Sequence, residues 1–349
     1  MPANRPVVRL SSPSEIVALV PVLCGFVPRE SLVAVSLQGV RHRVGLTMRF
    51  DLDWCDGQPH APQEIADRLG VDQATGAVLV LFSETPDVDQ WARGQLVEQV
   101  QGQCAQRGID VSEALLVRSG RWTSYLCTGR ECCPDEGTPI EFEPSPALQL
   151  VAAERVLAGR AVLGSREELV RSVAPPVLLA AVVARQEMDR AEVVWWNDYC
   201  RLGRDALIAQ SIAAARSAMS RAMTPAGVTL VEAAGLAVAV QDVRVRDEVA
   251  TWALRQRDPL LTLLTQTVRA VGAPHDAAIC ALLAWVAYAQ GDGGLANVAL
   301  DRALTSDPDY SLALLLREML DRQVPPLEVR RLLRATSRPK SGRSRSRKR

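Results

Sequence analysis

The chain has 349 residues, of which 48% are apolar and 4% aromatic, and its 40 basic residues balance its 40 acidic residues. This length fits about two domains, and no run of about 18 apolar residues offers a membrane-spanning helix. The apolar run 16–27 is broken by Pro21 and Gly25, which argues against a signal peptide. Eight cysteines are too few for a disulfide scaffold, so we expect a cytoplasmic protein with reduced thiols.

The first part of the chain alternates between helical and strand-like patterns. The capping box Ser12-x-x-Glu15 predicts a helix over 16–23. The continuous apolar run 76–82, GAVLVLF, is typical of a strand buried on both faces. Further strands are predicted over 32–37, 44–50, 114–117 and 122–127, with helices over 62–69 and 88–107. Residues 1–145 are therefore predicted to form an α+β or α/β sandwich.

After a Pro- and Gly-rich loop over 129–146, every segment has a helical pattern. Helices are predicted over 177–190, 192–201, 205–222, 225–239, 242–256, 259–271, 275–290, 293–306, 309–322 and 325–335. This makes 146–335 an all-helical domain, followed by a disordered basic tail over 336–349. The adjacent pair Trp195-Trp196 is interpreted as core and domain-interface packing.

Residues 279–310 have the pattern of a tetratricopeptide-like helix hairpin. Small residues at Ala284, Ala296 and Ala303 let two helices approach closely, and Gly291 turns the chain between them. About three such units are needed for a stable stack, and only one is visible. Two interpretations stay open, a groove for a partner peptide and a helical bundle that merely resembles a repeat.

Three cysteines cluster in the loop, as Cys127-x4-Cys132-Cys133. A structural zinc site needs four ligands, and no histidine lies nearby. Zinc, a redox pair and thiols that serve as small apolar side chains therefore all remain open, with zinc the weakest of the three.

Two further groups are candidate ligand-binding residues. Arg121 and Tyr125 share one face of a predicted strand, where a cation beside an aromatic hydroxyl could bind an anion or stack a base. Asp51 and Asp53 follow the end of another strand, a common place for active-site acids and equally for helix-capping acids. No catalytic residue is assigned, because phosphate-loop, dinucleotide-binding, zinc-protease and serine-hydrolase motifs are all missing.

The tail over 338–349 carries seven basic residues and no acid, which leaves the rest of the chain with a net charge of −7. Such a tail can contact phosphates without sequence preference, although the acidic body opposes broad nucleic-acid binding.

The order of several segments is familiar. VRLSSPSEIVALVPVLCGFVPRESLVAVSL, RVGLTMRFDL, RWTSYLCTGRECCPDEGTPI and GDGGLANVALDRALTSDPDYSLALLLREML resemble, over most of 7–322, an actinobacterial family catalogued as domain of unknown function 4192. The resemblance implies a bacterial, cytoplasmic protein and brings no activity, cofactor or catalytic residue.

The sequence thus favours a non-enzymatic adaptor or regulator whose helical domain binds a partner protein. The first alternative is an enzyme or small-ligand sensor with its site in the hairpin and cysteine loop at 118–137. The second is a nucleic-acid-associated protein that acts through its basic tail.

Overall fold

The computed structural model describes residues 12–84, 90–127, 129, 133–134, 136–140, 146, 149–150, 153 and 162–336. Its internal contacts divide the chain into two compact units, with the division between Glu168 and Leu169. The first unit is a mixed sheet with helices and the second is helical, so the predicted fold class is confirmed. The domain boundary expected near residue 145 stays a prediction.

The first unit is built on a six-stranded sheet. Its strands are β1 (Ser31–Gln38), β2 (Arg43–Asp51), β3 (Gly76–Phe82), β4 (Asp110–Arg118), β5 (Arg121–Ser124) and β6 (Thr138–Pro139). They lie in the order β2-β1-β3-β4-β5-β6, where only β3 and β4 are parallel. Hairpins join β1 to β2 and β4 to β5, and every residue of β3 is buried as the apolar run indicated.

Helices cover both faces of the sheet. They are α1 (Pro13–Cys24), α2 (Leu52–Gly57), α3 (Ala61–Val71) and α4 (Gln90–Gln106). Alternate residues of β3 point to opposite faces, so that Leu79 packs with α2, α3 and α4, and Val80 packs with α1. The capping prediction is confirmed at α1, where the Glu15 amide donates to Ser12 Oγ at 3.3 Å. Two separate apolar cores therefore hold this sheet.

The second unit is helical throughout its described length. Helix α5 (Arg166–Ser172) leads into it, and its own helices are α6 (Leu178–Leu202), α7 (Arg204–Ala222), α8 (Leu230–Ala239), α9 (Val243–Thr251) with a 3₁₀ turn at Trp252–Leu254, α10 (Arg257–Ala270), α11 (Ala277–Ala289), α12 (Gly293–Ser306), α13 (Ser311–Asp321) and α14 (Pro326–Thr336). The prediction of separate helices over 177–190 and 192–201 is wrong. Ala191 continues the backbone hydrogen bonding, because nothing in Arg190-Ala191-Glu192 breaks a helix.

Helix α11 is the centre of the second unit. All of its 13 residues are buried, and it contacts α10, α12, α13 and α14. Arg302 of α12 links several segments of the unit through its guanidinium group. It donates to the carbonyls of Val173, Val268 and Val271 and to the carboxylate of Asp276. Asp276 is 2% exposed, so this ion pair is a buried polar centre within an apolar bundle.

No helix among the described residues is long and apolar enough to cross a membrane.

Candidate functional site

The sheet brings two of the predicted ligand residues to the same edge without bringing them together. Asp51 ends β2 and Arg121 begins β5, at the edge where β3 and β4 also end. Four strand spacings of about 4.8 Å separate β2 from β5, which is roughly 19 Å. Each side chain also has a local partner, since Arg49 pairs with Asp51 and Arg121 donates to the Gly137 carbonyl at 2.6 Å. Asp53 is exposed in the first turn of α2.

Carboxylates at this sheet edge bind neighbouring loops. Glu30 accepts from Ser83 Oγ at 2.9 Å and from the Glu84 amide at 2.7 Å. Glu84 in turn accepts from the amide and hydroxyl of Ser119. Ligands of α/β sheets commonly bind at the carboxyl ends of parallel strands. At the ends of β3 and β4, however, these acids hold the loops together.

Tyr125 lies on the α4 side of the sheet, beside Arg93. Burial raises the pKa of Tyr125 to about 12, although the Arg93 charge acts in the opposite direction. Its hydroxyl is buried and finds no hydrogen-bond partner within the described part of the chain. Arg93 forms its ion pair with Asp56 at 2.5 Å. Burial, reinforced by Asp56, also raises the pKa of the nearby Cys55 thiol to about 12. A thiol and a phenol that both stay protonated are poor nucleophiles and poor bases.

The described residues place Cys133 of the cysteine loop and Tyr125 on opposite sides of the sheet. Cys133 packs against the α1-side core, opposite the face to which Tyr125 belongs. Cys127 is partly buried, and its amide donates to Ser124 Oγ at 3.2 Å. Among the described residues no group of three His, Cys, Asp or Glu side chains could hold a metal ion. Cys132 lies outside the described residues, so zinc or redox chemistry at this loop stays a prediction.

The basic tail, 338–349, also lies outside the described residues, and its contact with polyanions stays a prediction.

A groove lies between α6, α7 and α8 in the second unit. Its cavity volume is about 340 Å³, which is within the range of binding clefts. Small residues from α7 and α8 line much of it, and these are Ala214, Ala215, Ala218, Gly235 and Ala239. Larger apolar side chains complete the lining, and these are Val194, Trp195, Leu207, Val231 and Leu236. Small side chains leave room for an inserted apolar group, so this groove can accept one.

Charged groups around the groove are mainly acidic. Glu187, Asp198 and Glu232 line it together with the single cation Arg190. Each acid has an arginine partner, but two of those arginines, Arg201 and Arg221, are not among the lining residues. These two arginines lie 2.7 and 2.8 Å from the carboxylates of Asp198 and Glu232, so the charges at the groove balance, and a basic occupant would have to replace the exposed arginines.

The indole nitrogen of Trp195 is buried and has no hydrogen-bond partner among the residues that the structure describes. An indole N–H normally donates when it is buried, but this nitrogen has almost no accessible surface, so it offers no contact to an occupant of the groove. Trp196 is 60% exposed, and its prediction as a core residue is wrong. The small residues of the groove escaped sequence analysis, although their helical spacing on two consecutive helices is the signal that could have found them.

The comparisons with known proteins give one family. The model of domain of unknown function DUF4192 matches residues 13–327, and the chain belongs to that family. No curated protein and no solved structure matches the chain.

Proposed function

We propose that this protein is a non-enzymatic interaction module that binds an amphipathic helix of a partner protein in the α6–α8 groove. The observation that carries the proposal is the groove itself, with its small-residue lining and its three carboxylates. The occupant is a helix with an apolar face and flanking Lys or Arg residues. An apolar face fits the lining, and basic flanks can pair with its three carboxylates in place of the exposed arginines.

The tetratricopeptide-like hairpin has a different role in this proposal. Helices α11 and α12 have buried small residues at Ala284, Ala296 and Ala303, as that motif requires. Because every residue of α11 is buried, α11 has no side left for a peptide. The hairpin therefore supports the unit, and docking takes place at α6–α8. A cytoplasmic, actinobacterial setting and weak polyanion contact by the tail belong to the same proposal and rest on the sequence.

The test uses the full chain and a synthetic helical peptide that has a leucine face and arginine flanks. We expect saturable binding by calorimetry. A peptide with glutamate in place of arginine should bind at least about tenfold more weakly, as should a peptide of the same composition in scrambled order. Absence of binding by the arginine peptide would overturn the proposal. If the peptide does not bind but an apolar dye such as anilinonaphthalene sulfonate does, the groove is a site for a small ligand instead.

Two matched glycine substitutions locate the binding site. Gly235 lines the groove, and a Cβ built there meets no atom within 4 Å, so the backbone accepts a side chain and Gly235→Leu adds bulk at the groove. Gly102 of α4 is equally open and lies in the other unit, so Gly102→Leu is the control. We expect Gly235→Leu alone to weaken peptide binding. Equal affinities of the two variants would contradict the proposed site.

A further inference from the structure

Helix α6 has an outward-facing stripe as well as a face in the groove. At 100° per residue, positions 178, 182, 185, 189, 193 and 196 fall on one side of the helix. The groove residues Glu187 and Val194 and the buried Met188 fall on other sides. We call this side the α6 stripe, and it consists of Leu178, Val182, Arg185, Asp189, Val193 and Trp196.

The α6 stripe is open along its whole length. Leu178 is 87% exposed, Val193 is 61% exposed, and Trp196 is 60% exposed. Leu178 also has a φ of 54°, a left-handed conformation that a leucine rarely adopts and that costs roughly 1 kcal/mol. An apolar row of this kind commonly marks an interaction surface.

The order of residues along the stripe is self-complementary. Apolar side chains occupy both ends, and the oppositely charged Arg185 and Asp189 occupy the middle. Within one chain their side chains are 3.9 Å apart, and both are more than half exposed. Asp189 also lies 3.9 Å from His275 at the edge of the stripe. Neither contact encloses the pair, so both charges remain available to another molecule.

We propose that the α6 stripe is the interface of a homodimer in which two copies of α6 pair antiparallel. If the two-fold axis passes level with Glu187, Arg185 of each copy lies beside Asp189 of the other. Leu178 then lies beside Trp196 of the second copy, and Val182 beside Val193. A two-fold axis requires this kind of self-matching surface, with each contact made twice. The occupant is therefore a second copy of the chain, because the charged and apolar positions of α6 match those of another α6 that runs in the opposite direction.

The paired segment from Leu178 to Trp196 is about 27 Å long at 1.5 Å per residue. One helix pair is a small interface compared with the standard size of about 1,600 Å². We therefore expect a dimer whose fraction depends on protein concentration. The interface goes beyond the proposed peptide groove, because the two use different sides of α6.

The test is a charge-reversal exchange, with mass measured by light scattering and sedimentation on the full chain. Arg185→Asp and Asp189→Arg each place like charges opposite each other in the homodimer, so each variant alone should dimerise at least about tenfold more weakly than the wild type. An equimolar mixture of the two variants should dimerise again, because every opposed pair in the mixed dimer is complementary. Dimerisation of the mixture cannot result from an ion pair restored within one helix, because each chain still carries only one of the two substitutions.

Circular dichroism verifies that each variant folds, and Val193→Ser provides a second, uncharged disruption at an exposed position. Arg244→Asp is the control, because Arg244 pairs with Asp205 in another exposed ion pair of the same unit. A monomeric wild type at about 100 µM would overturn the proposal, and so would single variants that still dimerise or a mixture that stays monomeric. Gly235→Leu should leave the dimer intact, which separates this result from failure of the groove.

Discussion

The sheet unit and the helical unit differ in where they leave apolar side chains exposed. In the first unit both sheet faces are covered, and the exposed large apolar residues are scattered singly, as at Val40 and Val71. In the second unit they concentrate on one helix. The exposed large apolar residues of α6 are Leu178, Leu179, Val182, Val183, Val193, Val194, Trp196 and Tyr199.

This difference indicates which unit has surface left for binding. The sequence favoured partner binding by the helical unit, and its candidate ligand residues, among them Asp51, Arg121, Tyr125 and Cys133, lie in the first unit. The described residues place them at separate positions, with local partners or in apolar surroundings. The helical unit has few residues of chemical interest and two surfaces suited to macromolecules. In this protein, the exposure of apolar side chains indicates binding surfaces better than the presence of chemically reactive residue types.

The largest effect should come from the polar centre of the helical unit. Arg302→Leu leaves Asp276 as an uncompensated buried charge, so we expect a loss of about 3–5 kcal/mol in the free energy of unfolding. Urea denaturation followed by circular dichroism measures this loss. Arg244→Leu, in an exposed ion pair, should cost less than about 1 kcal/mol. If both variants cost the same, the polar centre does not stabilise the unit.

A pair of apolar truncations tests the contrast between the units directly. Leu79→Ala opens a cavity in a completely buried strand and should cost about 2–5 kcal/mol. Trp196→Ala removes a larger but exposed side chain and should cost only about 0.5 kcal/mol when measured on monomeric protein. A large cost at Trp196 in the same urea titration would mean that the stripe packs within its own chain.

Alkaline pH should act on the buried titrating groups of the sheet unit. The folded state raises the pKa of Cys55 from 9.0 to about 12, so the unfolded chain loses this proton first. The stability contributed by Cys55 is fully present below pH 9 and is lost as the pH rises toward 12. At pH 10 the loss should be about 1 kcal/mol.

Cys55→Ala should remove that part of the pH dependence between pH 8 and pH 10, whereas the exposed Cys200 provides the matched control variant Cys200→Ala. Above pH 10, Tyr125→Phe should reduce the remaining dependence in the same way, since the pKa of Tyr125 is raised from 10.0. Identical pH profiles for wild type and Cys55→Ala would contradict the burial argument.

Local sequence signals predicted most elements of the fold. The run GAVLVLF predicted β3, and the cap predicted at 12–15 appears as the hydrogen bond from the Glu15 amide to Ser12 Oγ. Sequence could not give the strand order, because pairing depends on contacts far apart along the chain. It also split α6 in two, since a short charged stretch resembles a helix end when the neighbouring helices are unknown.

The candidate site was harder to predict for a related reason. The groove exists because Ala214, Ala218 and Gly235 have small side chains that leave space between the helices. No single residue type in a sequence indicates such a space. The α6 stripe depends on the helix being continuous through Ala191, because a break there would separate its two apolar ends. Both features become visible only after the helices are placed in space.

The complete burial of α11 has a consequence for biosynthesis. Its 13 residues are all apolar or aromatic, and the helices α12, α13 and α14 that contact it are made afterwards, ending at Thr336. At about 5–20 residues per second, a ribosome takes several seconds to supply that cover. During this interval the nascent chain exposes an apolar helix that can associate with other chains. We therefore expect truncation before α14 to yield aggregates, and a chaperone that shields α11 to improve the yield of folded protein.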